Sequence, residues 1–119
     1  MNPVELIRVF VLCEIMDDYE EVEHITENIT KLGAQCGVVI QKQDVVDALV
    51  SLTEHGFAKA YRLGRTTKEI EGVPSLDDIL DPDLYTRCYF WATPKGNNEH
   101  TRLRSLDAWP FDEEGELKG

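Results

Sequence analysis

Glu20, His24 and Glu27 recur at spacings of four and three residues within DDYEEVEHITENIT, so a helix would set all three on one face. Carboxylates and an imidazole gathered in this way can hold a metal ion. The same face also reads as a solvated surface supported by a Glu27–Lys31 pair in the favoured orientation, and this second reading is preferred. Cys13, Cys36 and Cys88 are widely spaced, odd in number and form no CxxC pair. They read as small buried hydrophobes rather than as disulfide or zinc ligands, which fits a reducing, cytoplasmic setting. The three histidines, His24, His55 and His100, fall on three different expected elements. His55, beside Gly56 at a helix end, is a residue the helix dipole favours. No nucleophile with its base, no carboxylate pair and no glycine-rich phosphate loop is present. The expectation is therefore a protein that is not an enzyme and uses no metal or cofactor.

Charge is the second candidate for chemistry. The chain of 119 residues has a formal net charge of −11, yet its cations are clustered. Lys59, Arg62, Arg65 and Lys68 occur in 57–68 with no acid among them, and Arg87, Lys95, Arg102 and Arg104 occur in 86–104 against Glu99 alone. Acids dominate the first 56 residues, the stretch 69–85 and the C-terminal end. Several cations on neighbouring strands would give salt-dependent contact with phosphate. Alternatively, they pair with the acids of the adjoining segments as a solvated surface. Distant acidic faces would not forbid phosphate binding, because screening limits their reach to roughly 10 Å.

The elements that must position these groups are legible from periodicity and punctuation. Asn2-Pro3-Val4-Glu5 is a helix start, and the helix to about residue 16 is apolar on nearly every side. Such a helix is covered on more than one side, either as a core helix or in part as a subunit interface, and a homodimer through it is expected. Its run is too short and too charged to span a bilayer, and no cleavage site follows, so no membrane association is expected. Asp17 or Asp18 is the expected cap of a second helix, with Val22, Ile25, Ile29 and Leu32 inward and Gly33 as its stop. GVVIQ, 37–41, reads as a short strand. A third helix over about 41–55 turns Val45, Ala48, Leu49 and Leu52 inward and ends at Gly56. Strands are expected from Phe57 and over 87–93, the second with Cys88, Phe90 and Ala92 on one side and Tyr89, Trp91 and Thr93 on the other. Between them lies a long inserted tip, with one helical turn near Pro74-Ser75-Leu76-Asp77, and a proline-glycine turn is expected after the second strand. Residues 1–104 form the expected domain and 105–119 an acidic, partly disordered tail. There Trp109 either fastens the terminus or anchors an acidic run that folds over the basic strands.

VVDALVSLTEHGF (45–57) resembles the end of a recognition helix, and FWATPKG (90–96) is similar to the strand and turn that close a wing. From about Val22 to Gly96 the chain resembles the winged helix-turn-helix domain of MarR- and PadR-type transcription regulators. The resemblance implies an α+β fold, three helices followed by a β-hairpin wing, acting as a DNA-binding transcriptional regulator on double-stranded DNA. Carried over by position, Lys42, Gln43, Val46, Asp47 and Val50 would face the major groove, and Lys59, Arg62, Arg65, Lys68, Arg87 and Lys95 would be the wing contacts. Asp44 and Asp47 depart from that pattern, placing negative charge where phosphates would approach. So does the lack of long dimerisation helices after Gly96. The alternative is a winged-helix protein-interaction module without DNA binding, favoured by those acids and by Val46 and Val50 on the outside of the third helix.

Overall fold

The computed structural model describes residues 1–83 and 87–118. The end of the inserted tip, residues 84–86, and the last residue of the tail lie outside them. The first helix, α1 (Pro3–Glu14), starts as its sequence requires: Asn2 Oδ1 accepts the Glu5 N–H at 2.8 Å and Pro3 occupies the first turn. Phe10, Val11, Leu12 and Ile15 are almost wholly buried beneath the other helices. Among the apolar residues of α1, Val4 is the one left largely exposed, at 67%. The apolar surplus that motivated a subunit interface is thus covered within one chain, and the expected homodimer finds no support in this packing.

The chain then departs from expectation. Asp17 and Asp18 do not cap the second helix; Asp18 Oδ1 accepts the N–H of Tyr19 at 2.7 Å, and a two-residue strand, β1 (Glu20–Glu21), intervenes. Its pairing partner lies far along the sequence, so local periodicity could not reveal it. Helix α2 (Val22–Gln35) follows and buries Val22, Ile25 and Ile29. It runs through Gly33 rather than stopping there. A Cβ on Gly33 would stand 2.6 Å from the Val38 carbonyl oxygen and 2.7 Å from the end of Ile40, so this glycine admits a close chain approach. The reversal is made by Gly37, at φ 73°. The expected strand over 37–41 does not form; Val39 is 83% exposed, and Ile40 alone of that run is buried.

Helix α3 (Lys42–Glu54) opens with Asp44 Oδ2 accepting the Gln41 N–H at 2.9 Å and closes on Gly56, at φ 76°. Val46 joins Val45, Ala48, Leu49 and Leu52 in the core at 2% exposure, so it is not the groove-facing residue the resemblance implied. Val50 is half-buried against the same core. Strand β2 (Ala58–Arg62) pairs antiparallel with β4 (Cys88–Ala92), setting Ala60 opposite Phe90 and Tyr61 opposite Tyr89. Between them come β3 (Lys68–Glu69), which pairs with β2, and the single-turn helix α4 (Leu76–Ile79). Ser75 Oγ accepts the Asp78 N–H and the Asp78 carboxylate accepts the Ser75 N–H, while Ile79 enters the core. The sheet order is β1-β4-β2-β3, antiparallel throughout. Ala58, Ala60, Cys88 and Phe90 point into the core, as the alternation predicts.

No turn follows β4. Thr93 caps a helix, α5 (Pro94–Arg104), by accepting the Gly96 N–H at 3.0 Å, and Pro94 takes the position where a missing N–H costs nothing. Threonine-proline is a turn signal and a helix start alike; the helix wins because α5 packs on α1 and β4. Beyond α5 the chain folds back. Trp109, 9% exposed, stands edge-on to His100, and Phe111 meets Phe10 at 5.8 Å between ring centres. A bridge between Phe111 and Leu117 closes this segment. Trp109 thus fastens the terminus to the helical side of the domain, away from the strands. The structure is an α+β fold with a four-stranded antiparallel sheet, and among the described residues no helix is long and apolar enough to cross a membrane.

Candidate interaction surface

Of the polar residues expected to touch DNA, Lys42 and Gln43 lie on α3, Lys59 and Arg62 on β2, Arg65 between β2 and β3, Lys68 on β3, Arg87 just before β4 and Lys95 at the start of α5, and most are engaged by the chain itself. Lys42 is ion-paired with Glu23 of α2. Gln43 donates from Nε2 to Asp47 Oδ1 at 2.9 Å, so both groove-facing candidates at the start of α3 are satisfied locally. Lys59 Nζ lies 2.8 Å from Glu69 across the β2–β3 pair. Arg62 is held by Asp78 and, at 3.5 Å, by Asp81, both from the inserted tip. Arg87 donates from Nη1 to both oxygens of Glu21 on β1, at 2.8 and 2.6 Å. Lys95 donates to the His55 carbonyl at 2.9 Å and stands 5.4 Å from the centre of the Phe57 ring. Arg65, between β2 and β3, and Lys68, the first residue of β3, are exposed and form no ion pair among the described residues. The inserted tip and β1 therefore supply the counter-charges for the basic strands, which is the second of the two readings the charge pattern offered. The outward positions of α3 meanwhile present Gln43, Asp47 and Glu54 to solvent.

The acidic face of α2 is simpler than its spacing promised. His24 Nδ1 lies 2.5 Å from Glu20 Oε2, and that hydrogen bond and charge raise the imidazole above its ordinary value. The Glu27–Lys31 pair is not among the ion pairs formed by the described residues, nor do those residues include any group of three donors able to hold a metal.

A contact that sequence reading missed joins α1 to α5: Cys13 Sγ lies 3.5 Å from His100 Nε2. The pair is 87 residues apart in the chain, and nothing local signals it. Burial pushes the Cys13 thiol up to about 12, with the Glu14 charge adding to the effect. Burial, then the nearby Arg104, lowers His100. Both groups are neutral at pH 7, so the contact is a weak thiol–imidazole pair and Cys13 is not a thiolate nucleophile. Cys88 is likewise buried and pushed up to about 12, whereas Cys36 is exposed, contrary to its expected place in the core. Elsewhere, a groove of about 460 Å³ runs between α1, the end of α3 and α5, over Leu12, Phe57 and Leu103.

The outer face of the sheet is the most distinctive surface. Alternation brings Tyr61 of β2 and Tyr89 and Trp91 of β4 to the side away from the core, directly cross-strand at Tyr61–Tyr89. Tyr19, just before β1, reaches over this face. Its ring centre lies 5.1 Å from Tyr61, at 84°, and 4.6 Å from Trp91, at 56°. Trp91 Nε1 donates to the Met16 carbonyl at 3.4 Å, which fixes its ring while leaving it 37% exposed. Two closed ion pairs, Lys59–Glu69 and Arg87–Glu21, flank the four rings. The sequence carried a signal for part of this face in the alternation of β4; Tyr19 had none, because its place depends on β1.

No family model, curated protein or solved structure gives a significant match to the chain. The surface must be read from its own geometry.

Proposed function

We propose that this chain is a winged-helix module that recognises another protein and does not act through DNA. The order helix, short strand, two helices and a two-stranded flap with an elaborated tip supports the winged-helix reading. The observation that carries the functional reading is the neutralisation of the flap. Lys42, Lys59, Arg62 and Arg87 are all ion-paired with acids of the same chain. Phosphate would have to displace those carboxylates, and their charge would then remain beside it. The outward side of α3, with Asp47 and Glu54, repels a phosphate backbone within a screening length. The half-buried tyrosines and the exposed Trp91 of the outer sheet face are instead of the residue types that are enriched in protein–protein contacts. A homodimer through α1 forms no part of this reading.

The DNA-binding regulator is the second reading, favoured by the exposed Arg65 and Lys68, between β2 and β3 and at the start of β3, where a wing would meet a duplex. Titration of random duplex DNA at low salt separates the two. The interaction module shows no binding at micromolar protein. Salt-sensitive binding that is lost in an Arg65→Ala, Lys68→Ala double variant would establish the DNA reading and overturn ours.

A further inference from the structure

A second groove, of about 590 Å³, opens between the end of α1, the turn before β1, α2 and the C-terminal segment. Its floor is apolar, made by the half-buried Leu32 and Phe111 and by Trp109, with Phe10 beneath. Six carboxylates line it, those of Glu14, Asp17, Asp18, Glu20, Asp112 and Glu113, against the single guanidinium of Arg104. Glu20 pairs with His24, and Glu14 accepts a hydrogen bond from the Asn28 amide. Apart from Glu20, none of the six has a cationic partner within ion-pair distance among the described residues, unlike the acids that close Lys59, Arg62 and Arg87. One polar atom of the floor is unpartnered as well. Trp109 is 9% exposed, yet its indole N–H meets no acceptor among the described residues. None of their side-chain nitrogens or oxygens is both sealed from solvent and unpaired, so this donor reaches solvent beside the groove that Trp109 lines.

An occupant that fits supplies three things: positive charge for the rim, an apolar group for the floor and an acceptor for the Trp109 N–H. A metal ion offers only the first, and the described residues include no group of three donors able to hold one. A polyamine brings charge but no acceptor, and the carboxylates repel nucleic acid. A peptide segment that interleaves lysine or arginine with bulky apolar residues supplies all three, its backbone carbonyls being the acceptors. The net charge of −11 also draws such a segment toward the chain. We propose that this groove docks a basic, amphipathic segment of a partner protein, its apolar side chains over Trp109 and Phe111 and its cations on Asp17, Asp18 and Glu113. This assignment rests on the interaction-module reading; it gives the partner's chemical class and adds a contact surface to the aromatic sheet face.

The test is a titration of the isotope-labelled full chain by nuclear magnetic resonance, in which the indole N–H signals of Trp109, in the groove, and Trp91, on the sheet, report separately. Four probes are added in turn: a capped lysine-leucine decapeptide of amphipathic order, its glutamate-leucine counterpart, spermine and random duplex DNA. The lysine-leucine peptide is expected to shift the Trp109 indole and the amides of Cys13, Glu14 and Asp112, to leave the Trp91 indole in place, and to bind less tightly as salt rises. The double variant Asp17→Asn, Glu113→Gln removes charge from both segments that border the groove, at exposed side chains with no hydrogen bond or ion pair among the described residues. It is expected to weaken binding about fivefold at low salt. Trp109→Phe, which keeps a ring and removes the donor, is expected to weaken it by a few-fold, read from the amides of α1. An unmoved Trp109 signal at millimolar lysine-leucine peptide overturns the assignment. So does an equal response to the glutamate-leucine peptide, an equal response to spermine, or unchanged affinity in the double variant. If duplex DNA also leaves α3 and the β2–β3 turn unperturbed, the module reading survives that loss. Duplex-induced shifts on α3 overturn the module reading itself.

Discussion

Arg62 shows how little a residue type says before its neighbours are known. In the chain it is one of four cations with no acid among them; in the fold it is clasped by Asp78 and Asp81 from the tip beyond it. Gly96 is a second case. It looked like a turn residue, yet it is buried in the first turn of α5, where a Cβ would collide with the Phe57 carbonyl oxygen and carbon. The obstacle is backbone and cannot swing away, so Gly96→Ala should destabilise by about 1–3 kcal/mol, read as a lower urea midpoint at unchanged slope. His100 carries a pH prediction. Its folded value lies below the ordinary 6.5, so across that interval the unfolded chain binds the proton and the folded chain does not. On this account stability falls as pH drops below about 6.5 and levels off beneath the lowered folded value. The exposed His24 works in the opposite sense: its raised value gives stability that is present at low pH and lost as pH rises through the folded value. Urea titrations from pH 7.5 to 4.5 on His100→Asn and His24→Gln variants would separate the two; the acid-side loss should shrink in the first and deepen in the second.

At the level of elements, a cap or stop was legible where its own next turn decided it and misread where a distant segment did. Asn2-Pro3 and Ser75 acted where their side chains predicted, because a cap needs only its own next turn. Gly56 ended α3 for the same local reason. Gly33 did not end α2, since its lack of a side chain serves contact with Val38 and Ile40. The join between β4 and α5 concentrates two roles in one hydroxyl: Thr93 Oγ1 accepts the Gly96 N–H and donates to the Gly56 carbonyl at 2.6 Å. Thr93→Ala therefore unties α5 from the end of α3 and should cost about 1–2 kcal/mol, whereas Thr93→Ser should restore most of it. Thermal unfolding of the three proteins would check this, with equal melting temperatures for all three counting against the double role.

For the molecule as a whole, the decisive arrangement is the separation of its two ends. The C-terminal segment lies on α1 and α5 through Trp109 and Phe111, while the tip closes over the sheet through Arg62. An acidic tail competing for the basic strands is not what this geometry provides; the inserted tip holds that place. Trp109→Ala should cost about 3 kcal/mol by opening a cavity beside His100, and should leave the Trp91 surface unaltered. Circular dichroism melts together with the Trp91 indole resonance would test both halves of that statement.

By itself the amino-acid sequence determined the features that depend on neighbours in the chain: the capped start of α1, the buried stripes of α2 and α3, the left-handed exit at Gly56 and the alternation that builds β2 and β4. Tertiary structure alone decided which acid meets which cation, that β1 exists, and that Tyr19 meets the rings of Tyr61 and Trp91. Ion pairs and aromatic contacts act over a few ångströms of space, without regard to distance along the chain. Only folding brings Glu21 to Arg87 and Asp78 to Arg62, and so pairs cations of the basic segments with acids remote in the chain.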